Sequence, residues 1–119
     1  MGLLVYIVDD DVRLSRLLAL LLEIEGFEAV TFTSGWDFLA RLEVDPPPQA
    51  VVLDLMMPDI DGREVYRRAR ALGYGGPVLI LSAFGARQAQ RELGADDSMA
   101  KPFEPESLVK RVRTLLATA

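Results

Sequence analysis

The chain has 119 residues, half of them hydrophobic and about a quarter charged, which suits one compact domain spanning 1–119 and excludes a disordered or collagen-like chain. A net charge of −5 argues against direct nucleic-acid binding by these residues, because phosphate backbones are held mainly by Lys and Arg. Cys and His are both absent, which excludes disulfides, thiolate chemistry and imidazole ligands, so any metal must be held by oxygen.

The first residues, Met1 to Val8, lack the basic region of a signal peptide. The Leu-rich run from Leu14 to Ile24 is broken by Arg16 and Glu23, short of the roughly 20 apolar residues that span a bilayer. A soluble cytoplasmic protein is the expectation. Leu3 to Val8 is a continuous apolar run, as in a strand covered on both faces, and Asp11 to Glu25 carries Leu14, Leu17, Leu18, Leu21 and Ile24 at helical spacing before Gly26. Asp11 is placed to cap that helix.

The alternation continues. Glu28 to Phe32 reads as a strand, Ser34 to Glu43 as a helix capped by Ser34, Pro46 to Pro48 as a stiff connection and Gln49 to Leu53 as a third strand. Asp61 and Gly62 open a helix through Leu72 whose inner face is Val65, Ala69 and Leu72, leaving Arg63, Arg67, Arg68 and Arg70 mostly in solvent. Pro77 to Leu81 is a fourth buried strand, Ala86 to Leu93 a short helix, Ala95 to Ala100 a weak strand, and Glu104 to Leu116 a final helix with Leu108, Val112, Leu115 and Leu116 on its apolar face. Five strands alternating with five helices predict an α/β fold, a doubly wound five-stranded parallel sheet in the order 2-1-3-4-5.

In such a sheet ligands bind beyond the carboxyl ends of the strands, near the point where the strand order reverses. There the sequence places Asp9 and Asp10 after strand 1, Asp54 after strand 3, Ser82 after strand 4 and Lys101 after strand 5. Three clustered carboxylates repel one another unless a cation sits among them, and with only oxygen donors that cation is a hard one, with Mg²⁺ the natural candidate. A carboxylate can also act as a nucleophile toward phosphorus, a reaction that depends on charge neutralisation and in-line positioning. Asp54 is the central carboxylate, with Lys101 offering a point charge and Ser82 a hydroxyl donor.

These residues resemble those of the receiver domains of bacterial two-component response regulators, over the whole length of the chain. The resemblance is carried by Val8-Asp9-Asp10-Asp11, by Leu53-Asp54-Leu55-Met56-Met57-Pro58 with Asp61-Gly62 behind it, by Ser82-Ala83, by Gly94-Ala95-Asp96-Asp97 and by Lys101-Pro102-Phe103. It implies a flavodoxin-like fold in which Asp54 takes a phosphoryl group from a phosphohistidine on a sensor histidine kinase. It implies too that the domain assists its own phosphorylation and dephosphorylation without being a turnover enzyme. It further implies that Asp10, Asp54 and the backbone carbonyl of Met56 ligate Mg²⁺, that Asp9 acts largely through water, that Ser82 and Lys101 hold the phosphoryl oxygens, and that Lys101-Pro102 is cis.

Two positions depart from the family pattern. Ser98 stands where an aromatic residue is common in the fifth strand, and the segment from Ser82 to Gly94 is about three residues short, nearly one helical turn. A truncated, reoriented or partly unwound fourth helix is the expectation, with Phe84 as a candidate substitute aromatic or, more simply, a pocket-rim or core residue. Gly94-Ala95-Asp96-Asp97 with Arg111 and Arg113 resembles the dimer surface, on helix 4, strand 5 and helix 5, of regulators with a winged-helix DNA-binding output domain. Asp97 and Arg111 are candidates for an ion pair across a twofold axis.

Three rival readings compete with this one. Asp59-Ile60-Asp61 has the spacing of Asp-nucleophile phosphatases but follows Met57-Pro58 in a loop, with no substrate-binding insertion. As a Ca²⁺ loop it lacks the required acidic residues, having Met57 and Arg68 at those positions. A phosphorylation-independent interaction module of the same fold is the third; Ser98 and the short fourth helix favour it, and the presence of Asp9, Asp10, Asp54, Ser82 and Lys101 argues against it.

Overall fold

The computed structural model describes residues 2–117. Its elements are β1 (Leu4–Val8), α1 (Val12–Ile24), β2 (Glu28–Phe32), α2 (Gly35–Val44), β3 (Ala50–Asp54), α3 (Gly62–Ala71), β4 (Val78–Ser82), α4 (Ala86–Leu93), β5 (Asp97–Ala100) and α5 (Pro105–Ala117). All strand pairs are parallel and the sheet order is β2-β1-β3-β4-β5, as the strand-helix alternation predicts. The register sets Val8 beside Leu53, Asp54 beside Leu81 and Ser82 beside Ala100, so the strand ends are level along one edge.

Period-two alternation sorts the side chains into two cores. On one face Val5, Ile7, Val52, Leu79 and Leu81 pack with Leu18 and Leu22 of α1 and Leu108, Val109 and Val112 of α5. On the other, Tyr6, Val8, Val51, Leu53 and Ile80 pack with Phe38 and Leu39 of α2, Val65 and Ala69 of α3 and Ala89 of α4. The rings of Tyr6, Phe32 and Phe38 meet edge to face, with centroids 4.9 to 6.2 Å apart. This burial on both faces is why β1, β3 and β4 read as unbroken apolar runs.

Local chemistry starts and stops the helices. The side chains of Asp11, Ser34 and Asp61 accept from the backbone N–H groups of Leu14, Asp37 and Arg63, satisfying donors that the first helical turn leaves free. α4 has no side-chain cap: Gly85 precedes it in the left-handed region at φ 61° and Gly94 ends it at φ 78°. This eight-residue helix is regular throughout, so the shortened segment is absorbed as a short helix and not as an unwound one.

Three expectations are corrected. Leu72, assigned to the inner face of α3, is 46% exposed, and Tyr66 takes the buried position. The helix ends at Ala71, so the periodicity no longer applies at Leu72. Arg70 is not a solvated surface charge: its guanidinium donates to the carbonyls of Tyr74 at 2.9 Å and Gly76 at 2.7 Å, lies 3.4 Å from Asp96 and covers the rings of Tyr66 and Tyr74. β5 starts at Asp97 and not at Ala95, because the N–H groups of Gly94 and Ala95 close the end of α4 on the Gln90 carbonyl.

Candidate phosphoacceptor and metal site

The site is built by side-chain parity at the level strand ends. Asp9, Asp54 and Lys101 continue the alternation of Val5, Ile7, Val52 and Met99, so all three lean toward the α1 and α5 side of the sheet. The Lys101 ammonium therefore stands 2.8 Å from Asp9 Oδ2 and 3.3 Å from Asp54 Oδ2. Asp9 is fully buried and Asp54 is 2% exposed. Each also has a fixed oxygen, since Asp9 Oδ1 accepts from the N–H of Asp11 at 2.9 Å and Asp54 Oδ1 from the N–H of Met56 at 3.1 Å. The Lys101-Pro102 bond is cis, as the resemblance implies.

Asp10 completes the cluster from the exposed side. One oxygen from each of Asp9, Asp10 and Asp54 lies within 4.8 Å of the others. The Asp54 carboxyl is pushed up to about 6, chiefly by burial and further by the Asp9 charge, against the downward pull of the Met56 N–H and of Lys101. Burial also works against the Lys101 charge, yet the hydrogen bond to Asp9 and the charges of Asp9 and Asp54 hold its pKa above the usual lysine value. The cluster holds three carboxylates and one ammonium, which pairs with Asp9 and Asp54, and an all-oxygen donor set at this spacing fits a hard divalent cation such as Mg²⁺.

Ser82 belongs to the opposite parity and opens into a different space. It lines a cavity of about 670 Å³ together with Asp10, Met56, Met57, Asp61, Arg63 and Phe84. Its hydroxyl is closed on its own loop, donating to the Phe84 carbonyl at 2.7 Å and accepting from the Phe84 N–H at 3.2 Å. Met56 lies at the same cavity wall. Asp9, Asp10, Asp54 and Lys101 thus form one cluster, and Ser82 and Met56 share a cavity with the Asp10 edge of it.

The departures from the family pattern are placed as follows. Ser98 donates through Oγ to Gln90 Oε1 of α4 at 2.6 Å, so the aromatic position is filled by a polar tie. Phe84 is 81% exposed on the cavity rim. Arg111 pairs with Asp97 inside one chain at 2.9 Å and also donates to the Ser98 carbonyl, so this pair needs no second copy. Asp59 and Asp61 are both engaged locally: Asp59 accepts from the Ser34 hydroxyl at 2.7 Å, and Asp61 caps α3. That leaves the Asp-x-Asp spacing with a structural explanation.

Sequence reasoning missed three features around the site. Gly62 has its α-carbon against Leu55 and the Asp54 carbonyl, where a Cβ would collide. The Ser34–Asp59 bond ties the β3–α3 loop to α2, and Arg63 pairs with Glu92 of α4 at 2.8 Å. The Asp61-Gly62 pair is a local signal for the first; the other two join residues 25 and 29 positions apart and leave no local trace.

A family model described as the response regulator receiver domain matches residues 5–113. The transcriptional regulatory protein CssR of Bacillus subtilis is 39% identical over 119 residues, covering 98% of this chain and 52% of that protein. The transcriptional regulatory protein CreB of Escherichia coli is 40% identical over 117 residues, covering 94% of this chain and 50% of that protein. Among solved structures, the response regulator DrrB of Thermotoga maritima, described as an OmpR/PhoB homolog, superposes with a TM-score of 0.87 at 31% identity, covering 99% of this chain and 54% of that one. The chain spans about half the length of the curated relatives it matches.

Proposed function

The chain belongs to the response regulator receiver domain family, and on that premise we propose that residues 1–119 form one receiver domain whose Asp54 accepts a phosphoryl group from a sensor histidine kinase. The observation that carries the reading is the buried Asp54 carboxylate, held 3.3 Å from the Lys101 ammonium and within one cluster with Asp9 and Asp10. Carboxylates are buried together at a cost of several kcal/mol, and a cation-assisted reaction at that point gives the arrangement a use.

Asp10, Asp54 and the Met56 carbonyl would hold Mg²⁺, with Asp9 acting largely through water. The ion supplies charge neutralisation between the carboxylates and an incoming phosphoryl group. The N–H of Met56 fixes one Asp54 oxygen, so attack falls to the other, the one beside Lys101, and the new O–P bond forms there as the donor's bond to phosphorus breaks and Lys101 shifts to the phosphoryl group. Lys101 then neutralises a phosphoryl oxygen, and Ser82 donates to another after releasing Phe84. The change is stoichiometric self-modification and not turnover.

The regulated partner belongs to the same proposal. CssR and CreB are transcriptional regulatory proteins, and a transcriptional output domain of the winged-helix DNA-binding type, beyond this domain, is the proposed recipient of the signal. Self-association through α4, β5 and α5 is proposed with it, resting on contacts other than Asp97–Arg111. Cytoplasmic placement accords with this reading, and no helix among the described residues is long and apolar enough to cross a membrane.

Intact mass after incubation with Mg²⁺ and acetyl phosphate tests the reading: one phosphoryl adduct is expected, absent in Asp54→Asn. The Ser98–Gln90 bond in place of a mobile aromatic favours a second reading, a phosphorylation-independent interaction module, which absence of any adduct would support. Phosphate release from acetyl phosphate that continues undiminished in Asp54→Asn would sink both.

A further inference from the structure

The cavity beside Asp54 has one cation among its lining residues, Arg63, and the phosphoacceptor chemistry as described makes no use of it. Leu55 and Met56, which follow Asp54 in the chain, line this space together with Asp10 and Asp61, so an anionic phosphodonor entering it meets two carboxylates and one guanidinium. Arg63 directly follows Gly62, whose α-carbon is packed against Leu55 and the Asp54 carbonyl, and its N–H is bonded to the Asp61 carboxylate at 2.8 Å. Its backbone is therefore fixed at the cavity wall. Its guanidinium, only partly exposed, pairs among the described residues with Glu92 of α4 at 2.8 Å, and Gln88 holds the other Glu92 oxygen at 2.9 Å.

We propose that Arg63 is a binding residue for small anionic phosphodonors, and that Glu92 holds it in reserve by competing with the donor for the guanidinium. A guanidinium presents a fork of N–H donors that suits phosphate and carboxylate oxygens alike, so exchanging the Glu92 carboxylate for a donor's oxygens conserves the kind of bond made. Glu92 is exposed, and a surface ion pair contributes about 0–1 kcal/mol, so a dianion competes for Arg63 on favourable terms. The residue acts on binding alone: in the reaction with acetyl phosphate an Asp54 oxygen forms the bond to phosphorus, the bond from phosphorus to the acetate oxygen breaks, and acetate departs with the electron pair.

The inference rests on the phosphoacceptor reading and is tested by a sign. Initial rates of adduct formation are measured by intact mass across acetyl phosphate concentrations at saturating Mg²⁺. Arg63→Gln is expected to raise the half-saturating concentration by about threefold to tenfold with the maximal rate unchanged. Glu92→Gln, an exposed change, is expected to lower it, and the double variant to follow Arg63→Gln. A pair that merely braces α3 against α4 would shift both single variants the same way, or neither, and either result overturns the proposal. In high salt the differences should shrink; persistence at full size would also overturn it. A wild-type chain that forms no adduct overturns the phosphoacceptor reading itself and this inference with it.

Discussion

The Ser82 hydroxyl and the Phe84 backbone form a closed turn, with Oγ donating to the Phe84 carbonyl at 2.7 Å and accepting from the Phe84 N–H at 3.2 Å. A hydroxyl has a single proton to donate, so it cannot serve a phosphoryl oxygen and the Phe84 carbonyl together. Addition of beryllofluoride with Mg²⁺ should therefore shift the Phe84 amide resonance strongly. In Ser82→Ala the Phe84 amide should start at a different position and move less. An unchanged Phe84 amide in the wild type would mean that Ser82 does not turn.

Lys101 is the cation that two buried carboxylates share. Replacing it by Met leaves Asp9 and Asp54 facing each other without compensation, which should cost about 2–3 kcal/mol in metal-free buffer. Mg²⁺ should restore part of that loss, because a divalent ion answers the same charge. Urea unfolding with EDTA and then with Mg²⁺ reads both quantities.

Asp54 has its carboxyl raised from 3.8 to about 6, with burial as the leading cause. A group whose folded value is raised contributes stability that is fully present below the unfolded value and is lost as pH rises through the folded one. In EDTA, Asp54→Asn should therefore be more stable than wild type above pH 6 by up to about 3 kcal/mol, with the gap closing toward pH 4. Urea midpoints for both chains across that range measure it, and a gap that widens on acidification would contradict the sign.

Removal of a bound divalent cation should be visible as lost stability. At ten times its dissociation constant a ligand adds about 1.4 kcal/mol, a rise of roughly 5 °C in melting temperature for a domain of this size. EDTA should reverse the rise, and Asp10→Asn, which withdraws one of the three clustered carboxylates, should show a smaller one.

Gly62 offers a test of the site's floor. A Cβ there meets Leu55 and the Asp54 carbonyl, and backbone cannot yield as a side-chain tip does. Gly62→Ala should destabilise the fold by about 3 kcal/mol and depress adduct formation along with it, as chemical denaturation and intact mass would reveal.

Much of this architecture is legible in the residues. Ala50 to Leu53 and Val78 to Leu81 are apolar without a break because helices cover both faces, and Asp11, Ser34 and Asp61 cap their helices because short polar side chains reach the first turn. The strand-end group was readable for the same reason, since parallel strands bring their carboxyl ends to one edge. Arg70 was misread because periodicity reports a helix face and not what the loops beyond the helix place against it. The Arg63–Glu92 and Ser34–Asp59 bonds depend on how separate elements dock, which no local pattern encodes. The place of Ser82 at the end of β4 is legible in the sequence, yet the direction of its hydroxyl is a matter of loop geometry.

Arg70 also divides the sheet mechanically. Its bonds to the Tyr74 and Gly76 carbonyls, with Asp96 accepting from the N–H of Val78, tie down the amino ends of β4 and β5. The carboxyl ends of the same strands finish at Ser82, in its releasable turn, and at Lys101. With the amino ends of both strands fixed in this way, a pull on the Ser82 hydroxyl should be felt in the adjoining loop and α4 while the clamped ends stay still.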